Sequence, residues 1–340
     1  MKKRIIALML CVCMVLCLAA CGSTKDTDAK NDKTTDDNQT SQSNDSETTY
    51  NVGICQLVQH VALDAATQGF KDALNELLPG QVTFDEQNAS GDSPTCATII
   101  NTFVSNKVDL ILANATAPLQ AAASATSEIP ILGTSITDYA TALEIDNWTG
   151  TVGGNVSGTC DLAPLDEQAA VIKEWFPDAK TIGMLYCSAE PNSQYQVDVI
   201  TGYLEEMGYT CQNFTFTDTN DVGSVTQAAC DACDVIYIPT DNTAASNTEA
   251  IANIVLPAKV PVVAGEQGIC AGCGVATLSI DYYDIGYISG EMAAKILTGE
   301  GDISTMAIES APEVTKMYNA ANCEALGLTV PDGYEAMEVE

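Results

Sequence analysis

The chain has 340 residues, 46% of them hydrophobic, with 13 basic and 46 acidic side chains and a formal net charge of −33. So large a negative excess excludes a polyphosphate partner held by counterion release, and with it nucleic-acid binding; it equally excludes a Lys-rich helix lying on a membrane surface. The apolar fraction is that of a folded protein, and the length suggests two lobes.

Lys2, Lys3 and Arg4 precede an apolar run from Ile5 to Ala20. A charged start followed by an apolar stretch short of the roughly 20 residues of a membrane span reads as a signal peptide over residues 1–20. The run ends in Leu18-Ala19-Ala20-Cys21, which resembles a bacterial lipobox and marks Cys21 as the lipidated residue. An uncleaved anchor with an incidental Cys is the alternative, and both export the body. Removing residues 1–20 leaves 10 basic against 46 acidic groups, a net charge of −36, and no arginine, because Arg4 is the only one. An anionic ligand must then be met by Lys, hydroxyls or backbone N–H groups. Residues 22–50 are Ser, Thr, Asp, Asn, Gln and Lys with almost nothing apolar, cannot offset their ordering entropy, and make 21–50 read as a lipid-anchored flexible tether.

From Asn51 short apolar runs alternate with helical patterns. Val52–Val58 reads as a buried strand, and Leu63, Ala66, Phe70, Ala73, Leu74 and Leu77 recur at helical spacing until Pro79-Gly80. Strands follow at 82–86, 108–113 and 129–133, with helices near 94–106 and 117–126. A second series has strands at 181–187, 211–216, 234–239 and 260–264, and helices at 194–207, 222–230 and 243–255. Two runs of alternating strand and helix predict an α/β protein of two doubly wound parallel-sheet lobes.

Ligands of open parallel sheets bind beyond the carboxyl ends of the strands. The residues there are polar: Gln56, Gln59 and His60; Asn114 and Thr116; Thr134, Ser135, Thr137 and Asp138; then Ser188, Glu190, Asn192 and Ser193; Thr240, Asp241 and Asn242; and Glu266. Strand-end loops are polar in any such protein, which accounts for part of this set. Acidic groups at four tips, beside Thr116-Ala117-Pro118 and Asn192-Ser193 reading as helix N-caps, suit a zwitterion: the acids hold its ammonium and the helix ends its carboxylate.

His60 is the only histidine, and no G-x-S-x-G elbow accompanies it, so neither a hydrolase nor a His-rich metal site is expected; no catalytic residue and no cofactor is called for. His60 has two readings, a ligand contact or a cap of the first helix. Cys230-x-x-Cys233 and Cys270-x-x-Cys273 have zinc-site spacing, but the strand order puts Cys233 before one strand and Cys270 after the next, at opposite sheet ends, so no metal site is expected. Ten cysteines remain after Cys21, and their pairing is not readable.

The stretches V-G-I-C-Q-L-V-Q-H-V-A-L-D-A-A-T-Q-G-F, A-N-A-T-A-P-L-Q-A-A, N-V-S-G-T-C-D, I-G-M-L-Y-C-S-A-E-P-N-S, I-P-T-D-N-T-A-A-S and I-D-Y-Y-D-I-G resemble the tryptophan-binding (TrpX-like) family of ABC-transporter substrate-binding lipoproteins, from about residue 51 to 335. The resemblance implies a type I periplasmic-binding-protein fold with a hinge crossing near 161–164 and returning near 279–283. It implies a first lobe of 51–162 plus about 281–300, with the helix from Tyr283 to Leu297 packed on it, and a second lobe of 163–280 plus about 301–340. It implies capture of an aromatic or apolar amino acid between the lobes, tryptophan-like favoured, and delivery to an ABC permease with its ATPase subunits. The partners are thus a small molecule, that permease and, through lipid only, the outer face of the cell membrane, with the chain as a monomer. The contacts it implies are Gln56, Val58, His60, Thr116, Thr137 and Asp138 in the first lobe, Glu190, Asn192, Ser193, Asp241, Asn242 and Glu266 in the second, and Asp281 at the hinge. Val58 and the Tyr282 ring would flank the ligand side chain. Gln59-His60-Val61 departs from the family's Glu-His-Pro, and Cys187 stands where Asn is usual. A sugar or autoinducer binder on the same fold is the alternative; the absence of mature arginine and the position of both Trp residues, 148 and 175, outside the strand-end loops weigh against a sugar.

Overall fold

The computed structural model describes residues 49–337. The leader over 1–20, Cys21 and the tether up to residue 48 lie outside the described residues. The first series runs β1 (Tyr50–Gln56), α1 (Val61–Leu77), β2 (Val82–Asn88), α2 (Ser93–Asn106), β3 (Leu110–Asn114), α3 (Thr116–Ala125), β4 (Ile131–Ile136), α4 (Tyr139–Ala142) and β5 (Val156–Cys160). The second runs α5 (Leu165–Trp175), β6 (Thr181–Cys187), α6 (Pro191–Glu206), β7 (Thr210–Phe216), α7 (Val222–Ala232), β8 (Val235–Ile238), α8 (Asn242–Ala245), α9 (Thr248–Ala258), β9 (Val262–Ala264), α10 (Gln267–Gly272) and β10 (Ala276–Ser279). The chain ends with α11 (Tyr282–Leu297), β11 (Glu309–Ser310), β12 (Thr315–Tyr318), α12 (Ala320–Leu326) and β13 (Glu335–Ala336).

These strands form two sheets, one per lobe. The first has the order β11-β5-β4-β3-β1-β2 and is parallel; the second has the order β13-β12-β10-β9-β8-β6-β7, with β12 antiparallel to β10. Strands β3, β4 and β8 are buried along their whole length, as central strands of a parallel sheet are when helices cover both faces. On one face of the first sheet α2 and α3 contribute Cys96, Ile100, Phe103 and Leu119; on the other α1 and α11 contribute Phe70, Leu74 and Met292.

The chain crosses between sheets three times: from β5 to α5, from β10 to α11, and from β11 to β12. The third crossing corrects the expected lobe boundary at about residue 301. Glu309 and Ser310 pair with Thr159 and Cys160 of β5, Ser157 Oγ donates to Met306 O at 3.1 Å, and Ile303 and Met306 pack in the first lobe's core. Backbone pairing and apolar burial thus keep residues up to 310 on the first sheet. The helix expected over 243–255 is also two pieces, because α8 ends at Ala245 and Asn247 begins a new helix whose Nδ2 donates back to Thr243 O.

Helices α1 and α11 lie in unusually close contact, and three glycines allow it. A Cβ on Gly286 would fall inside the Ala66 carbonyl, one on Gly69 would overlap the Tyr283 carbonyl, and one on Gly290 would lie 2.6 Å from Ala73 Cβ. This contact fixes the start of α1, where His60 sits, against the start of α11, where the hinge returns.

Candidate ligand-binding site

The carboxyl ends of both sheets face each other across a cleft containing two adjoining cavities. The larger, about 420 Å3, is lined by Leu57, Val58, Ala117, Ala189 and Pro191 on its apolar walls and by Asp92, Thr116, Glu190, Asp218 and Thr243 among its polar ones. The smaller, about 10 Å3, lies against the hinge and is bounded by His60, Ser135, Thr137, Asp161, Glu266 and Tyr282. Asn192 and Asn242 line both cavities, so one elongated molecule can span them. The lobes touch where His60 Nε2 meets Asn242 Oδ1 at 3.2 Å.

The strand-end backbone is bent to make this floor. Ala115, between β3 and α3, has φ 98°, and Ser135, near the end of β4, has φ 57°. Non-glycine residues in this region carry backbone strain of about 1–3 kcal/mol, which persists where surrounding structure imposes it and concentrates at ligand sites. The N-cap of α3 is Ala115 rather than Thr116, and the N-cap of α6 is Glu190, with Pro191 leading the helix and Asn192-Ser193 inside it. Both N-cap expectations fall one to three residues late, because alanine and glutamate are not favoured capping residues, although Pro191 at the first helical position marks the start of α6.

The acids expected to meet a ligand ammonium are mostly spoken for. Asp138 accepts from Thr141 N at the start of α4 and lines neither cavity. Asp241 accepts from Ala244 N, Cys187 N and Ser193 Oγ, and Glu266 accepts from Gly268 N and Ile269 N. Glu190 receives Asn192 Nδ2, Asn242 N and Nδ2, Thr243 N and Thr243 Oγ1, all between 2.8 and 3.2 Å. It thereby ties the start of α6 to the start of α8. Glu190→Ala is expected to lower unfolding free energy by about 3 kcal/mol, since it strands several buried donors; chemical denaturation measures this.

The remaining expected residues divide by geometry. Val58, His60, Thr116, Thr137, Asn192, Asn242 and Tyr282 line one cavity or both, with Glu190, Asp241 and Glu266. Gln56 lines neither: it is buried, takes the Thr67 hydroxyl on Oε1 and donates to Asp64 and Val58 O, bracing β1 on α1. Ser193 is fully buried and donates to Asp241. Asp281 is exposed and caps α11 by accepting from Tyr283 N. Tyr282 does not stand with Val58 as a second flank; its ring is buried in the small cavity and its hydroxyl donates to Asp161 Oδ2 at 2.9 Å. His60 does not cap α1 with its side chain.

Sequence reasoning treated Asp161 only as a hinge marker and Ser135 only as a strand-end hydroxyl. Asp161 is 4% exposed, and burial pushes its carboxyl up to about 6. Burial likewise pushes Glu266 up to about 7, and burial with the Glu190 charge raises Asp241. Burial lowers His60, keeping its ring neutral at pH 7. Among the described residues no group of three or more His, Cys, Asp or Glu is arranged to hold a metal ion. Cys233 ends α7 ahead of β8, whereas Cys270 lies in α10 beyond β9.

Two α/β lobes, three crossings and a cleft floored by strand ends define a binding protein that closes around a small molecule. The ABC transporter substrate binding protein family model matches residues 51–338, and the chain belongs to that family. A tyrosine-binding protein of Clostridioides difficile (strain R20291) is 34% identical over 314 residues, covering 91% of this chain and 88% of that protein. An ABC domain from Streptococcus pneumonia solved in complex with L-Trp superposes with a TM-score of 0.81 at 30% identity, over 85% of this chain and 100% of that one. A ligand-free, open substrate binding protein with adhesive properties from Clostridium difficile, 35% identical over 86% of this chain and 100% of that one, superposes at only 0.65. The chain thus superposes less closely on the structure described as open than on the L-Trp complex, despite the higher identity of the former.

Proposed function

We propose that this protein captures an aromatic amino acid between its lobes and hands it to an ABC permease. The observation that carries the reading is the pair of adjoining cavities: a small polar one at the hinge suits the amino end of an amino acid, and one of about 420 Å3 suits its carboxylate and a side chain of tyrosine or tryptophan size. The larger cavity is lined by no aromatic ring. A sugar therefore lacks a stacking face, whereas an aromatic ligand brings its own ring to the aliphatic walls of Leu57, Val58 and Pro191. Asp92 and Asp218 at that cavity supply acceptors for a phenol O–H or indole N–H. Thr116, in the first turn of α3, stands where a carboxylate would meet the helix's free N–H groups.

The tyrosine and tryptophan ligands of the two relatives support this class. Lobe closure both buries the ligand and builds the surface a permease reads, so the protein acts by binding rather than by catalysis, as a monomer. Lipidation at Cys21 would hold it at the outer face of the membrane, with the segment that precedes β1 as tether; Tyr50, expected in the tether, is the first residue of that strand. The test is a thermal-shift panel of the twenty amino acids. Tyrosine or tryptophan at 100 times its dissociation constant is expected to add about 2.7 kcal/mol of stability; no shift with any amino acid rejects the reading.

A further inference from the structure

Six buried side-chain nitrogen and oxygen atoms among the described residues have no hydrogen-bond partner, and three of them belong to residues lining the small hinge cavity: His60 Nδ1, Ser135 Oγ and Asp161 Oδ1. A buried polar atom without a partner costs on the order of 1–3 kcal/mol, so three around one cavity ask for a common explanation. Their chemistry agrees. Asn242 Nδ2 donates to Glu190, which turns Asn242 Oδ1 toward His60; His60 Nε2 must then carry the proton, leaving Nδ1 a bare acceptor. Asp161 Oδ2 is occupied by the Tyr282 hydroxyl, leaving Oδ1 bare. A serine hydroxyl also accepts.

We infer that His60 Nδ1, Ser135 Oγ and Asp161 Oδ1 form a three-pronged socket for the ligand's ammonium, with Asp161 as its counter-ion and Tyr282 as the residue that positions it. This deepens, and rests on, the amino-acid reading above. An ammonium has three N–H donors and meets three acceptors; it is also close in size to the single water-sized group that a cavity of about 10 Å3 admits. Elimination points the same way. Asp138 lines neither cavity, and Glu190, Asp241 and Glu266 direct their oxygens at helix N–H groups, so among the acids bounding the small cavity only Asp161 has a carboxylate oxygen without a partner. None of the seven lysines in the described chain lines either cavity. The ligand therefore supplies the cation. Because Asp161 leads the first crossing and Tyr282 follows the second, the ammonium binds at the pivot, where its grip resists reopening.

The test compares two pairs of probes by titration calorimetry: L-tyrosine with 3-(4-hydroxyphenyl)propanoate, and L-tryptophan with 3-(indol-3-yl)propanoate, which lack only the ammonium. The unsubstituted protein is expected to prefer the amino acid by 100-fold or more. Asp161→Asn is expected to weaken amino-acid binding at least 30-fold while changing binding of the propanoate less than 3-fold. Tyr282→Phe, which frees Asp161 to move, is expected to give an intermediate loss confined to the amino acid. Asn in place of Asp keeps the shape and can donate to the stranded acceptors, so its ligand-free melting temperature should match or exceed that of the unsubstituted protein. Equal losses for both members of a pair, or no loss for either, overturn the socket while leaving the function standing. Failure of the unsubstituted protein to bind any amino acid overturns both.

Discussion

Lowering the pH from 8 to 5 is expected to stabilise the ligand-free protein while weakening its hold on an amino acid. The carboxyls of Asp161, Glu266 and Asp241 all titrate above their ordinary range because burial disfavours their charge. Between the unfolded values near 4 and the raised folded values, the folded state binds more protons, so stability falls as pH rises through this window. Below about pH 4 both states are protonated and the contribution is constant. His60, lowered by burial, works in the opposite sense below its ordinary value, as one group against three. The exposed Asp234 and Asp302, held low by backbone and hydroxyl donors, are ionised in both states between pH 5 and 8 and contribute nothing to this window. Relief of repulsion among the acidic side chains adds to stabilisation at low pH.

Binding runs the other way, because the ammonium requires an ionised Asp161. The groups facing that carboxyl are the Tyr282 hydroxyl, which stays protonated, the Thr137 hydroxyl, the Cys160 thiol, neutral His60, and Glu266 and Asp241 across the cavity. With Asp161 titrating at about 6, one pH unit lower leaves roughly one molecule in ten ionised, and affinity at pH 5 is expected to be about tenfold below its plateau. Calorimetric melting from pH 5 to 8, with and without L-tyrosine, measures both limbs. A ligand-free melting temperature that rises steadily with pH defeats the burial argument; a pH-independent affinity defeats the role of Asp161. Asp161→Asn should flatten the binding limb and reduce the stability limb only by its own share, leaving that of Glu266 and Asp241.

What the sequence made legible was what hydrophobic continuity encodes. Buried parallel strands such as β3, with Leu110–Ala113, and β8, with Val235–Ile238, carry uninterrupted apolar runs, and the alternating helices carry an apolar stripe, so the two α/β lobes could be read directly. Val156–Cys160 could not be read: Val-Ser-Gly-Thr-Cys has no apolar run, yet it is a strand because it pairs with β4 and β11 and hydrogen-bonds α11 through Thr159 and Ser289. Missing that strand hid Asp161, the residue immediately beyond it. The other acids misled for a different reason. Asp138, Asp241 and Glu266 each precede a helix, and a carboxylate at that position accepts from N–H groups two or three residues on. The spacing marked them as caps as readily as ligand partners, and only the census of satisfied oxygens separates the two roles. The third crossing, at 311–314, was illegible because two-residue pairing at Glu309–Ser310 leaves no periodic trace.

Gly286→Leu is expected to cost about 3 kcal/mol or more and to impair binding beyond that loss. At Gly286 an added Cβ meets the Ala66 carbonyl carbon and Cα at 2.7 Å each, all backbone atoms that cannot turn aside. Overpacking of a rigid contact typically costs 1–3 kcal/mol even where side chains can adjust, and here a whole helix must move. Gly286→Ala bears the same clash but regains about 1 kcal/mol of helix propensity, so it should be milder without becoming neutral. Gly202, also inside a helix but exposed and with no neighbour within 4 Å of its Cβ position, provides the contrast: Gly202→Ala should stabilise by about 0.5–1 kcal/mol. Urea denaturation of the three variants tests the ordering, and Gly286→Ala being as stabilising as Gly202→Ala would refute the close α1–α11 contact. The functional consequence follows from where the helices begin. Tyr282 opens α11 and His60 leads into α1, so separating the helices pulls His60 Nδ1 away from the carboxylate that Tyr282 holds. Gly286→Ala should therefore weaken L-tyrosine more than 3-(4-hydroxyphenyl)propanoate even at temperatures where the variant is fully folded, linking a glycine buried between helices to the ammonium end of the ligand.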